Sequence, residues 1–333
     1  MPVTTGLATV GFGSNTQLAY IVQTAKDAID ATPAWNVVPF TSAEMTVQAE
    51  QINDDSMTGD RSELEPRSGT INGQMTVSGK FRPECLDALI EAAMQSTWGL
   101  TTGATFTQTF PAGSNYVSVG STQRNVAWEL YHADTDEYVR MINTEISAFS
   151  VALATNGDIT FSLTAIGGEE LDLGAAIGTA VAGATYVETT KPMYDSFNGT
   201  LALDGVTGVY FSSMSPSVNN NSTPLLALGS RYPFAVAHGK MTGDLSVTAY
   251  YTDETVKVFY QDETALDLTI QVKYENAVDA SADFHSFVYP ACKITSFGRP
   301  VSGAGELMEN MTLKPFTDTS IDASMAIVKS YNA

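Results

Sequence analysis

Cysteine, histidine and basic residues are all scarce in this chain, and each shortage removes a class of function. Two cysteines, Cys85 and Cys292, stand in 333 residues, neither in a Cys-x-x-Cys pair, so neither a disulfide framework nor a thiolate metal site is expected. Three histidines, His132, His238 and His285, lie far apart and in no metal-ligand spacing. Only 16 Lys and Arg face 37 Asp and Glu, a formal charge of -21, and the cations are scattered rather than clustered. Phosphate binding rests on grouped cations, so this surface repels DNA rather than gripping it. No run of about 18 apolar residues occurs, and Met1-Pro2-Val3-Thr4-Thr5 opens without a basic segment leading into an apolar one. Neither a membrane span nor a secretion signal is expected.

Catalytic motifs are missing as well. Gly11-Phe12-Gly13-Ser14-Asn15 begins like a dinucleotide fingerprint, but its third glycine is absent and no strand precedes it, so it reads as a turn. There is no phosphate-binding loop and no Gly-x-Ser-x-Gly elbow. The adjacent acids Glu169-Glu170 and Asp54-Asp55 lie in polar surroundings, where carboxylates are solvated and ionised. No enzyme, metal or cofactor is expected.

What the chain does carry is repetition. Ser68-Gly69-Thr70-Ile71-Asn72-Gly73-Gln74-Met75-Thr76-Val77 returns as His238-Gly239-Lys240-Met241-Thr242-Gly243-Asp244-Leu245-Ser246-Val247, shifted by 170 residues with both glycines and the apolar phase kept. Thr144 to Phe149 likewise matches Cys292 to Phe297, and Gln51 to Ser56 matches Ser217 to Ser222. In each copy apolar and polar residues alternate, as in a strand with one buried face: Asn72, Gln74, Thr76 and Ser78 form one polar row, and Thr242, Asp244, Ser246 and Thr248 the other. A short helix follows each strand, over Pro83 to Met94 and over Thr252 to Tyr260. Further strands are expected at Val126 to His132, Tyr138 to Met141, Ile146 to Leu153 and Ile159 to Ala165. Their partners are Leu266 to Tyr274, Phe284 to Tyr289, Ile294 to Phe297 and Glu309 to Phe316.

The expected fold class is therefore mainly β: two tandem copies of a small antiparallel barrel or sandwich, each flanked by one short α-helix. The expected domains are residues 1–170 and 196–333, joined by a Gly/Ala-rich linker over 171–195. One loop differs from the rest. Asp54, Asp55, Asp60, Arg61, Glu63, Glu65 and Arg67 put seven charges into the fourteen positions from Asp54 to Arg67, either as a solvated hairpin tip or as a contact arm.

The order in each copy is a polar loop ending in Ser-Gly-Thr or His-Gly-Lys, a strand such as Gly73-Gln74-Met75-Thr76-Val77-Ser78-Gly79-Lys80-Phe81, a short helix, then more strands. It resembles the tail-tube proteins of long-tailed, non-contractile bacteriophages. The opening Thr16 to Gln23, followed by Thr32-Pro33-Ala34-Trp35, is similar too, and the likeness covers residues 15–167 and 196–328. The resemblance implies a subunit that assembles with itself into rings stacked as a tube, six such domains to a ring, hence homotrimeric rings with pseudo-sixfold symmetry for a duplicated chain. It implies a virion tail component made and assembled in the host cytoplasm. Its partners would be a tape-measure protein inside the tube and tail terminator and distal tail proteins at the ends, with genomic DNA passing through unbound and no membrane contact. It places Asp54 to Arg67 where such proteins carry their inter-ring loop, with a charge-poor counterpart near Asn219 to Arg231. The two polar rows are then candidates for the pore wall, although alternation assigns faces without naming what each meets. Two rival readings remain, the tube of a contractile injection machine and a tandem carbohydrate-binding module. The second needs recurring aromatic platforms, and Trp35, Trp98 and Trp128 do not recur.

Overall fold

A computed structural model describes residues 13–30, 32–54, 56, 62, 65–100, 106, 108–155, 157–170, 183–203, 209–274, 283–301, 305–319 and 321–331. The strands are β1 (Thr16–Val22), β2 (Ala34–Val37), β3 (Ser42–Ile52), β4 (Arg67–Lys80), β5 (Gly99–Leu100), β6 (Asn115–Ser118), β7 (Val126–His132), β8 (Glu137–Ala154), β9 (Ile159–Glu170), β10 (Thr185–Val187), β11 (Asp195–Leu203), β12 (Tyr210–Asn219), β13 (Thr223–Leu225), β14 (Ala235–Ala237), β15 (Leu245–Tyr250), β16 (Leu266–Lys273), β17 (Phe284–Gly298), β18 (Met308–Pro315) and β19 (Ala326–Ser330). The helices are α1 (Asp87–Met94) and α2 (Thr255–Gln261). The fold is mainly β, as its alternating sequence dictates.

Antiparallel pairing runs β1-β7-β8-β9-β4-β3 in the first half and β11-β16-β17-β18-β15-β12 in the second. The registers correspond. Val77 lies opposite Leu163 and Val247 opposite Met311, so β4 maps onto β15 with a shift of 170 and β9 onto β18 with a shift of 148. The irregularities correspond too. The register slips between Ile146 and Ala148 in β8 and between Ile294 and Ser296 in β17, leaving Ser147 and Thr295 as extra residues. It slips again between Val126 and Trp128 in β7 and between Leu266 and Leu268 in β16.

One pairing differs from the sequence alignment. Ala43 opposes Val77 and Met214 opposes Val247, which maps β3 onto β12 with a shift of 171 and sets Val47, rather than Ile52, in the place of Val218. The likeness of Gln51–Ser56 to Ser217–Ser222 is thus out of register, because β3 runs on past the sheet into a longer hairpin.

The two ladders are joined edge to edge. β8 has β7 beside its first half, and β12 takes that side along its second half. Helix α1 packs beneath both β8 and β12, burying Leu89, Ile90, Ala92, Ala93 and Met94. The helix starts at Asp87, not at Pro83, because Glu84 adopts a φ of 69° and its N–H is taken by the Tyr331 hydroxyl at 3.1 Å. At the seam the buried Asn220 amide donates to the carbonyls of Ala93 and Ile146, each at 2.9 Å. One apolar core runs through both halves, from Met75, Val77, Phe149 and Leu163 to Val218, Leu245 and Val247. Each such side chain, fully buried, contributes about 1.5–3 kcal/mol.

The glycines shared by the repeat have different causes. A Cβ on Gly73 would stand 2.5 Å from the Gly168 carbonyl oxygen, so close strand approach requires glycine there, whereas nothing within 3.4 Å crowds Gly243.

Where a linker is expected, residues 171–182 lie outside the described ones, and Thr185–Val187 instead forms β10, parallel to β2. It is held from beneath. The Tyr186 hydroxyl donates to Glu129 at 2.6 Å, and Glu129 pairs at 2.5 Å with Arg140, both side chains almost wholly buried. Removing one partner leaves the other charge buried and unmatched, so Glu129→Ala is expected to cost about 3–5 kcal/mol in chemical denaturation. Replacing the pair together, Glu129→Leu with Arg140→Met, recovers most of that loss.

Candidate functional site

The face of the joined sheet opposite the core is built from small polar residues, and register puts them in rows. Ser42 lies opposite Ser78, Ser78 opposite Ser162, Ser162 opposite Ser150, and Ser150 opposite Ser217. The next row is Glu44, Thr76, Thr164, Ala148, Asn219 and Thr242. In the second half Ser215, Ser246, Thr312 and Ser296 form another, and Ser213, Thr248, Asn310 and Gly298 a fourth.

These rows bring together both groups of residues singled out in the sequence. Asn72 and Gln74 are exposed, Thr76 and Ser78 half-buried, Asp244 and Ser246 exposed, and Thr242 and Thr248 half-buried. All eight share one face, since cross-strand partners point the same way. Thr248 Oγ1 donates to Asn310 Oδ1 at 3.1 Å, and Thr46 Oγ1 donates to the Gln74 carbonyl at 3.4 Å. Charges are few. Glu44 and Asp244 are carboxylates of this face, Lys80 is paired with Asp158 at 2.6 Å, Lys293 lies opposite Lys314 and is paired with Glu263 at 3.4 Å, and Asp244 and Lys314 each sit one residue beyond the paired Leu245 and Leu313.

Two loops extend from one end of this face, one from each β3-β4 type hairpin. In the first, Glu50, Gln51, Ile52, Arg67 and Ser68 are exposed, so the hairpin stands clear of the sheet. Within the charged segment Asp54 accepts from the Ser56 N–H at 3.0 Å and from the Ser56 hydroxyl, which holds its carboxyl below the usual range. Glu65 and Arg67 are exposed, while Asp55, Asp60, Arg61 and Glu63 lie outside the described residues.

The second loop folds back instead. β13 pairs with β14, and Gly167, at a φ of 82°, makes room for Val236, against which a Cβ would collide. Arg231 donates to the Ser68 carbonyl at 2.8 Å and accepts from the Ile71 N–H at 2.7 Å, bracing the root of the first hairpin. Lys26 Nζ donates to the Phe234 carbonyl at 2.8 Å. The tip exposes Leu225, Leu226, Phe234 and, completely, Leu228. Beside the loss of charge expected here, Pro224-Leu225-Leu226-Ala227-Leu228 is an apolar run in a loop, the signal in the sequence that marks this tip.

Residues 13–315 match the family described as phage tail tube protein. The chain belongs to that family. Comparison with curated proteins gave no match. Membership makes the chain a structural tail-tube subunit, a component of the virion tail that assembles with copies of itself into a tube.

A partly buried polar cluster ties β19 to α1. Asp87, in the first turn of α1, meets Lys329 Nζ at 2.5 Å and the Tyr331 hydroxyl at 2.6 Å, with His285 Nε2 3.5 Å away. Tyr194 meets the other ring nitrogen of His285 at 2.8 Å. Burial raises the Asp87 pKa, but the His285 and Lys329 contacts outweigh it and hold the carboxyl below its ordinary value. Burial likewise pushes His285 down, favouring neutral imidazole. The cluster fastens β19 and the tail after it to the first helix. Burial pushes the thiols of Cys85 and Cys292 up to about 12, so neither supplies a thiolate at neutral pH.

Proposed function

We propose that this chain is the tube subunit of a long, non-contractile phage tail and that its halves, 1–170 and 196–333, are duplicated tube modules. On this reading three chains close a ring of six modules. The carrying observation is the recurrence of one six-strand ladder in each half with its bulges at matching places, Ser147 with Thr295 and the slip before Trp128 with that before Leu268. Bulges are built features of a fold, and two coincidences of this kind favour common descent over chance.

The hydroxyl-rich face lines the conduit. It is continuous across both modules, it is poor in charge, and the few charges present are mostly acidic or paired. DNA sliding past such a wall gains little from phosphate contact, and the overall charge of -21 adds repulsion. The tape-measure protein occupies the same conduit before DNA, and the terminator and distal tail proteins cap its ends. Stacking uses the charged arm from Asp54 to Arg67 and the apolar loop around Leu228, unequal devices at equivalent places. No catalysis is assigned. A carbohydrate-binding role finds no support in the tryptophans, since Trp35 and Trp128 are fully buried.

Negative-stain electron microscopy with native mass spectrometry tests this reading. Rings or tubes of three-chain repeat are the expected result. Dispersed monomers at every concentration, or rings of six chains, would count against it.

A further inference from the structure

The seam within the chain supplies the pattern for the seam between chains. Once β7 has left β8 at Thr144, β12 enters on that side, with Asn219 opposite Ala148, Val218 opposite Phe149 and Ser217 opposite Ser150. After two unpaired residues on each strand, Met214 lies opposite Leu153. β17 offers the same opening. β16 leaves it at Cys292, and beyond that point Ser296–Gly298 has β18 on one side and, among the described residues, no strand on the other. The strand that maps onto β12 is β3, and among the described residues its only partner is β4.

We infer that β3 of one copy pairs antiparallel with the open edge of β17 in the next. The shifts of 171 and 148 fix the register: Gln48 opposite Ser296, Val47 opposite Phe297, Thr46 opposite Gly298, and Ala43 opposite Val301. This pairing rests on the tube reading and identifies the ring contact within it as a continuation of the hydroxyl-faced sheet. The contact joins unlike edges, so it propagates from copy to copy and closes only as a ring.

Three observations support it independently of the shifts. First, α1 lies beneath the internal seam with Ile90 and Ala93 buried, whereas α2, placed alike beneath β17, leaves Val258 and Tyr260 about 40% exposed. Tyr260 stacks on Phe297 at 6.0 Å, so the apolar surface lies beside the open edge, where a neighbour would cover it. Second, Pro300 falls at the place of Ala152, one of the two residues that β12 leaves unpaired, so its missing N–H forfeits no ladder bond. Third, β3 runs eleven residues without a proline or lysine, the usual protection of an edge that stays unpaired.

Disulfide trapping tests the register. Gln48 and Ser296 are both exposed, and the native cysteines are buried. Facing residues on neighbouring antiparallel strands stand about 4.5–5.5 Å apart at Cα, within disulfide reach. In oxidised tubes of Gln48→Cys/Ser296→Cys, non-reducing gels are expected to move most of the chain into dimer and trimer bands. The single variants stay monomeric on the gel, and so does Glu44→Cys/Ser296→Cys, whose first cysteine sits about 13 Å out of register. Rings in which the matched pair fails to bridge, or the offset pair bridges as well, overturn the pairing while the tube reading stands. Failure of the unmodified chain to form rings sinks the tube reading instead. As a second measurement, Val47→Lys is expected to give soluble monomers with unchanged far-ultraviolet circular dichroism and no rings. Normal rings from that variant count against β3 as the edge.

Discussion

Arginine in place of both Gln74 and Ser246 is expected to make the tube hold DNA. Both side chains are exposed on the hydroxyl-rich face, one in each half, so the double variant adds two cations per chain and repeats them in every ring. In the native face the cations Lys80 and Lys293 are paired with Asp158 at 2.6 Å and Glu263 at 3.4 Å, Lys314 lies opposite Lys293, and Glu44 and Asp244 are acidic. If this face lines the conduit as proposed, the change therefore adds unpaired cations to a wall that offers phosphate few contacts. Each phosphate contact adds roughly 0.9 to the slope of log affinity against log salt, and a long tube multiplies the contacts. Relative to the unmodified tube, ejection in vitro is expected to slow by more than about tenfold at low salt and to recover as salt is raised, because screening and counterion release weaken the added phosphate contacts. Tubes should form as before, since neither residue lies at a strand edge. Wild-type ejection at low salt from correctly assembled particles would mean that this face does not line the conduit.

The parts of this architecture that were legible in the sequence are those whose partners are local. The alternation around Met75 and Val77 separates core from surface correctly, with both side chains buried and Asn72 and Gln74 exposed. The long strand β8 was not legible. Its middle, Asn143-Thr144-Glu145, looks like a polar break between two strands, yet all three residues are buried. Distant groups satisfy them. The Trp128 ring N–H donates to Thr144 Oγ1 at 2.8 Å, Glu145 meets His238 at 2.5 Å, and the Asn143 N–H donates to the Gln23 side chain at 2.7 Å. A polar residue whose partner lies 16 to 120 positions away carries no local mark of being core. The same applies to Thr185–Val187, whose neighbours in sequence are small and flexible, but whose place is set by β2 and by Glu129. Of the face itself, the residue types were readable. The rows that join both halves into one surface were not, because they depend on β8 meeting β12.

Aspartate at Leu226 and Leu228 is expected to stop growth of the tube at the single ring. The two hairpins that leave one end of the sheet differ: the first is charged and exposed at its described root, residues 50–52 and 67–68, while the second is apolar and bent back. Arg231 ties the root of the second to Ser68 and Ile71 of the first, so the exposed leucines are presented beside the charged arm on the same rim. A fully exposed Leu228 on a monomer gains nothing for folding, whereas burial of Leu228 and of the exposed half of Leu226 against the next ring would contribute about 2–4 kcal/mol per chain. Carboxylates in the same place lose that gain and add the cost of desolvating a charge, several kcal/mol per ion. The concentration needed for tube growth should therefore rise by more than about a hundredfold. Folding and ring closure should be unaffected, since both leucines are exposed and neither belongs to β3, β8, β12 or β17. Light scattering during assembly and tube lengths in micrographs measure the effect, and Leu228→Ala should show a smaller one in the same direction. Tubes of ordinary length at ordinary concentration from the double aspartate variant would assign stacking to the charged arm alone.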